Sequence, residues 1–207
     1  MFLFLEIFII IIIIQNITVG KKFKAKLVGD RIILKRTKPD LKLAKKMFEA
    51  VDANREYLRE WLEWVDETKS HEDSMKTFEE REPRVQEGKT IQYAIYLGKE
   101  LIGTIALFDI DENNKTGEIG YWLSKEHASK GLTTEALRIL EYEAFENLGI
   151  NRIQIKCDVG NKASARVAEK AGYVFEGELR DDSYSPYFKE FRNTLLFSKI
   201  KSEWKQK

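Results

Sequence analysis

The chain is poor in cysteine, histidine and proline, and neither sign of charge prevails. A single cysteine, Cys157, excludes an intrachain disulfide framework and fits a reducing compartment. Two histidines, His71 and His127, with no Cys/His cluster, argue against a structural zinc site, and no metal is expected. Lys and Arg total 35 against 34 for Asp and Glu, a net charge of +1. A protein living mainly on nucleic acid would carry a strong basic excess, so no nucleic-acid partner is expected. No internal repeat or linker divides the chain, and 207 residues suit one domain with a real core.

The one long apolar run stands at the start. Phe2 to Ile14 is apolar except for Glu6, with isoleucine throughout from Ile9 to Ile14, before Gln15 and Asn16 interrupt it. A spanning helix needs about 20 mostly apolar residues, and this run is shorter. It also lacks the basic n-region and small-residue cleavage site of a signal peptide. Lys21, Lys22, Lys24 and Lys26 follow, a flank that would stay on the cytoplasmic side of a membrane. Residues 1–24 are therefore set apart as an apolar leader with three readings open. It is a translated extension of a cytoplasmic protein, a membrane anchor through residues 2–19 with the domain in the cytoplasm, or a signal peptide. Residues 25–204 are expected to form one domain.

Hydrophobic periodicity gives the elements. Residues 31–35 read as a strand, and Asp40 can cap a helix carrying Leu41, Ala44, Met47, Phe48 and Val51. A second helix is expected through Tyr57, Leu58, Trp61, Leu62 and Val65, and a third over residues 71–86 with a break near Pro83. The period then changes to two. Residues 91–97, 101–108 and 116–123 read as three antiparallel strands. A helix over 132–148, a strand over 152–159, a helix over 161–171 and strands over 173–179 and 191–200 complete a mixed α/β order around one sheet.

Between Leu123 and Leu132 a strand runs through a small polar turn into a helix. Unpaired N–H groups at such a turn, with the partial positive charge of the helix start, suit a pyrophosphate, and Gly131 permits close approach. From spacing alone, an ordinary strand-loop-helix connection is an equal reading.

Three blocks, in order, carry a family resemblance. They are Asn54-Arg55-Glu56-Tyr57-Leu58-Arg59-Glu60-Trp61-Leu62-Glu63-Trp64-Val65, the stretch from Glu118 to Ala136, and Asn161-Lys162-Ala163-Ser164-Ala165-Arg166-Val167-Ala168-Glu169-Lys170-Ala171-Gly172-Tyr173, followed by Glu176-Gly177-Glu178-Leu179-Arg180. In order and spacing the chain resembles, across about 170 residues, the GNAT acetyltransferase superfamily, within it the RimJ/RimL-type ribosomal-protein N-acetyltransferases. The resemblance implies the GNAT fold, a mostly antiparallel mixed sheet of about seven strands with helices on both faces. It implies acetyl transfer from acetyl-CoA, without a metal, to a primary amine by direct attack in a ternary complex, with a protein N-terminus favoured. A small amine such as a polyamine or aminoglycoside, and a degenerate CoA-binding module, are the alternatives. Related enzymes often dimerise, so a homodimer stays open.

The resemblance also implies residue roles. Trp122 and Leu123 would offer backbone groups to the pantetheine and acetyl carbonyl. Lys130, Gly131, Leu132 and Thr133 would hold the pyrophosphate, and Asn161 would contact the coenzyme A arm. Ser164 stands where this branch places a serine proposed to protonate the leaving thiolate. Ala128 and Thr133 depart from the loop pattern, and Ser129 replaces a common glycine. Ser183 stands where some of the branch has a glutamate, which leaves Glu118 and Asp182 as candidate bases. Trp61 and Trp64 read as acceptor wall or core, and Tyr184 as acceptor wall or packing. His127 is expected to support the loop, and Cys157 to be buried and inert.

Overall fold

The computed structural model describes residues 23–204. The elements are β1 (Lys26–Val28), β2 (Ile32–Arg36), α1 (Leu41–Asp52), α2 (Arg55–Leu58), α3 (His71–Gln86), β3 (Ile91–Leu97), β4 (Glu100–Asp111), β5 (Thr116–Leu123), α4 (Leu132–Tyr142), β6 (Arg152–Asp158), α5 (Lys162–Ala171), β7 (Val174–Ser185), β8 (Glu190–Ile200) and α6 (Lys201–Trp204). The strands form one sheet in the order β1-β2-β3-β4-β5-β6-β8-β7. Every neighbouring pair is antiparallel except β5 and β6. This is the GNAT fold, with eight strands where about seven were expected.

Strand alternation sorts the core into two faces. On β3, Ile91, Tyr93 and Ile95 enter a large core with Leu137 and Leu140 of α4 and Ala165 and Ala168 of α5. Ala94 and Tyr96, between and beyond them, enter a smaller core with Ala44, Met47 and Val51 of α1 and Phe78 of α3. Helices therefore cover both faces. Asp40 caps α1 by accepting from Leu43 N at 2.8 Å, and Ser70 and Asp73 form a capping box at α3.

Five elements differ from the sequence reading, one being β7, which runs on to Ser185 where a loop was expected after Leu179. Strand β1 has three residues, too few to show alternation, and is made by pairing with β2. Helix α3 runs through Pro83 without a break, although the ring, in its last turn, removes the N–H that would donate to Glu79 O. Helix α4 ends at Tyr142 and continues as a π-turn over Glu143–Asn147. The helix expected from Tyr57 to Val65 is α2, a turn, an extended Leu62 and a 3₁₀ turn Glu63–Val65. Arg55 accounts for this fold-back: it donates to Thr68 O at 2.6 Å and also to Val65 O, drawing the far end over the start.

Phe23 is buried in the larger core, and Lys24 pairs with Glu143 at 2.8 Å, so packing reaches two residues ahead of the expected boundary. The leader expectation for residues 1–22, the anchor included, lies outside the described residues. Among the described residues no helix is long and apolar enough to cross a membrane.

Candidate active site

The site begins where two strands part. β5 and β6 pair at Thr116–Arg152, Gly117–Ile153 and Glu118–Gln154, and pairing stops there although both strands continue. Residues 119–123 and 155–158 therefore diverge and leave a wedge in the middle of the sheet. Their unpaired edges offer strand N–H and C=O groups to a ligand that enters between them. Ser124 N–H donates to Ile102 O of β4 at 2.7 Å, so alternation turns the Leu123 N–H to the opposite edge, into the wedge. The Trp122 carbonyl lies against β4 instead: a Cβ added at Gly103 would meet its oxygen at 2.2 Å. The Trp122 ring is buried in the smaller core, 6.5 Å from the Trp64 ring.

The wedge opens onto the turn before α4. Ser129 (φ 61°) and Gly131 (φ 76°) are both left-handed, and Gly131 caps α4 without a side-chain bond. Left-handed backbone is what makes glycine common at the Ser129 position, and a serine there costs roughly 1 kcal/mol. Among the described residues, no acceptor bonds the N–H groups of Lys130, Gly131, Leu132 and Thr133. Arg31 fixes the turn from below: Nη1 donates to Lys130 O at 3.0 Å and Nε to Glu135 at 2.7 Å. Asn54 fixes it from the acceptor side by accepting from Lys125 N–H at 2.8 Å. A frame of unpaired donors at a helix start fits a pyrophosphate group. His127 is buried in the turn, 3.7 Å from both Glu100 and Glu126.

Side chains from both faces meet at the wedge. On the α4/α5 side, Tyr121 Oη lies 3.2 Å from Ser164 Oγ and from Ser164 O. Burial pushes the Tyr121 phenol upward, so it stays protonated and able to donate. Asn161 caps α5 by accepting from Ser164 N–H at 3.0 Å. Burial also pushes the Cys157 thiol up, which makes it a poor nucleophile. On the opposite face, Glu118 stands at the last paired step. Its carboxylate accepts from Gln154 at 2.9 Å and lies 3.6 Å from Lys156. Burial raises its pKa, while Lys156 and Gln154 pull the other way.

That second face carries two cavities that flank the wedge. The larger, of about 810 Å³, runs between α3 and the floor of β3, β4 and β5, and is lined by Trp64, Gly120, Tyr121 and Trp122 among others. The smaller, of about 220 Å³, is lined by Trp61, Lys156, Cys157, Asp182, Ser183 and Tyr187. Leu62 borders both. Trp61 and Trp64 thus serve different cavities, because the chain folds back between them. Trp61 packs on Phe188 with centroids 6.1 Å apart. Asp182 lies in a bulge of β7. Tyr184 lines neither cavity; it is exposed and stacks edge-on against Phe191, and Tyr187 takes the wall position instead. Sequence reasoning passed over Tyr121, Arg31 and Asn54. Only Tyr121 left a signal, as the inward partner of Ile119 and Leu123 in strand alternation.

Residues 31–174 match the acetyltransferase (GNAT) domain family. The chain is similar to the ribosomal-protein-serine acetyltransferase of Escherichia coli (strain K12), 33% identical over 140 residues, 68% of this chain and 78% of that one. Among solved structures it is similar in fold to RimL, the ribosomal L7/L12 alpha-N-protein acetyltransferase, in complex with coenzyme A. The TM-score is 0.79 at 24% identity, over 84% of this chain and 97% of that one. It is also similar to the microcin C7 self-immunity acetyltransferase MccE in complex with acetyl-CoA and AMP, with TM-score 0.76 and 27% identity over 83% and 93% of the two chains.

Proposed function

The chain belongs to the GNAT acetyltransferase family, and we propose that it acetylates the α-amine of a protein N-terminus, of the ribosomal-protein type, by direct attack in a ternary complex. One observation carries the choice of acceptor: the cavity beside the wedge is a groove of about 810 Å³ along α3, room for several residues of extended chain. The similarity to the E. coli ribosomal-protein-serine acetyltransferase supports the same reading.

Acetyl-CoA, when bound, supplies the activated thioester. The N–H groups of residues 130–133 would hold its pyrophosphate, and the Leu123 edge of β5 would hold the arm and acetyl carbonyl. An α-amine has an unperturbed pKa of about 7.7–8.0, so a fraction is already neutral near neutral pH and a base takes the remaining proton. Glu118, at the last paired step of β5 and β6, would take the proton, and Asp182 is the second candidate, from the smaller cavity. Ser164 Oγ and Tyr121 Oη would hold the proton that the departing sulfur needs. Alignment of the two reactants at one point of the sheet supplies much of the rate.

The test is steady-state turnover of acetyl-CoA with serine-initiated peptides against spermidine. A higher kcat/KM for the peptides supports the reading. Turnover of spermidine alone would move the assignment to a small-amine acetyltransferase, and turnover of neither, with acetyl-CoA bound, to a degenerate module.

A further inference from the structure

The groove carries polarity that folding leaves unused. On its α3 wall, Ser74, Thr77, Phe78 and Arg81 stand at i, i+3, i+4 and i+7, along one face of the helix. Such a face ordinarily packs apolar side chains against the sheet, and here only Phe78 does so. Ser74 is buried, and its hydroxyl has no hydrogen-bond partner among the described residues. Arg81 is partly buried and donates to Gln92 Oε1. Among the described residues no carboxylate pairs with it, and the charge it does feel is the like charge of Arg84; burial first, and then Arg84, push its pKa down.

Most neighbouring charges are already matched, the exposed Glu67 of the same lining being the exception among the described residues. Arg84 pairs with Asp109 at 3.0 Å, Lys76 with Glu80 at 3.8 Å, and Asp73 accepts from Lys69 N–H and Ser70 N–H at 2.9 Å. A partly desolvated guanidinium without a counter-charge is costly, and an anion from outside would offset that cost. The floor shows how such an anion would be reached. Gln92 pairs with Ala106, and Ala106 with Gly120 at the wedge. Three adjacent strands set Gln92 and Gly120 about 10 Å apart. Ala106 and Gly120 raise almost no side chain of their own above this row, and the Phe108 ring lies beside Gly120, where an added Cβ would meet it at 3.1 Å. An extended chain advances roughly 3.4 Å per residue, so the second or third residue of an acceptor with its amine at the wedge arrives at Arg81.

We propose that this groove selects acidic acceptors: Arg81, oriented by Gln92, takes the side-chain carboxylate of the second or third residue, and Ser74 bonds the backbone of the same segment. This rests on the N-terminal acceptor reading above. A polyamine would meet an uncompensated like charge at the same place.

The experiment compares serine-initiated peptides that differ only by Asp or Asn at the second or third residue, each with acetyl-CoA and the full chain. The expected result is a kcat/KM at least about tenfold higher for Asp at one of these positions, as a charge-assisted bond provides. Arg81→Gln brings the ratio to about one, and Arg81→Glu turns the preference toward Lys at that position. Equal rates for Asp and Asn peptides in the wild type overturn the subsite and leave the acceptor reading standing. A ratio that persists in a folded Arg81→Gln variant also overturns it. If the wild type binds acetyl-CoA and acetylates neither peptide, the acceptor reading falls and the subsite falls with it.

Discussion

The two faces of the sheet are built on opposite principles. Under α4 and α5 the packing is dense, and the deeply buried charges have partners: Glu141 meets Lys199 at 2.8 Å, both side chains almost wholly enclosed, and the buried Glu143 meets Lys24 at 2.8 Å. Lys199 also donates to Ala171 O at 2.6 Å. Under α1 and α3 the core is smaller, and the groove beside it keeps Ser74 without a partner and Arg81 without a counter-ion among the described residues. One face pairs its buried charges internally and holds the fold, although the Tyr173 hydroxyl there has no hydrogen-bond partner among the described residues. The other leaves polar groups for a ligand. The wedge between β5 and β6 joins the two faces, with Tyr121 and Ser164 on the first side and Glu118 on the second.

The comparison can be broken at several points. Lys199→Met should have the largest effect, because it leaves Glu141 buried and unpaired; a loss of about 3–5 kcal/mol is expected in urea denaturation. Replacing both partners, Lys199→Met with Glu141→Leu, should recover most of it. A small loss in the single variant would mean that this face is less dense than described. On the acceptor face, Glu118→Gln should lower kcat by about a hundredfold with the fold intact. Burial raises the Glu118 pKa, and the base acts only when ionised. Wild-type kcat/KM should therefore fall, as pH drops, at a limb shifted upward from the ordinary glutamate value, and the variant should lose that limb. A pH profile unchanged by the substitution would remove Glu118 from the mechanism. Gly131→Asp adds negative charge and a strained side chain at φ 76°, and should weaken acetyl-CoA binding by about tenfold or more in calorimetric titration. Smallest are two changes in stability. Ser129→Gly should add about 1 kcal/mol by relieving left-handed backbone. Ser74→Ala should cost less than about 1 kcal/mol, since no bond is lost. A large loss in Ser74→Ala would show that its hydroxyl serves the fold after all.

How far these faces could be read in the sequence depended on local signals. β3 and β5 lie between clear turn signals and were legible to the residue. The turn before α4 was legible because Gly131 punctuates a strand-to-helix step. Trp61 and Trp64 misled, since a three-residue spacing reads as helix, and the fold-back depends on Arg55 reaching Thr68, a contact with no local pattern. Arg81 and Ser74 were invisible for a different reason. Polar residues on a charged helix look like a solvated face, and only the placement of α3 over the sheet turns them inward. The Tyr121–Ser164 pair joins residues 43 apart in sequence, beyond the reach of any periodicity.

The most direct test of the account uses a serine-initiated peptide with one free α-amine and one internal lysine. It is incubated with acetyl-CoA and the full chain, and the acetyl group is located by fragment-ion mass spectrometry. Acetylation confined to the α-amine, and slowed about a hundredfold in Glu118→Gln, is the predicted result. Acetylation at the lysine, or none by a protein that binds acetyl-CoA, would contradict the assignment of the groove to a protein N-terminus.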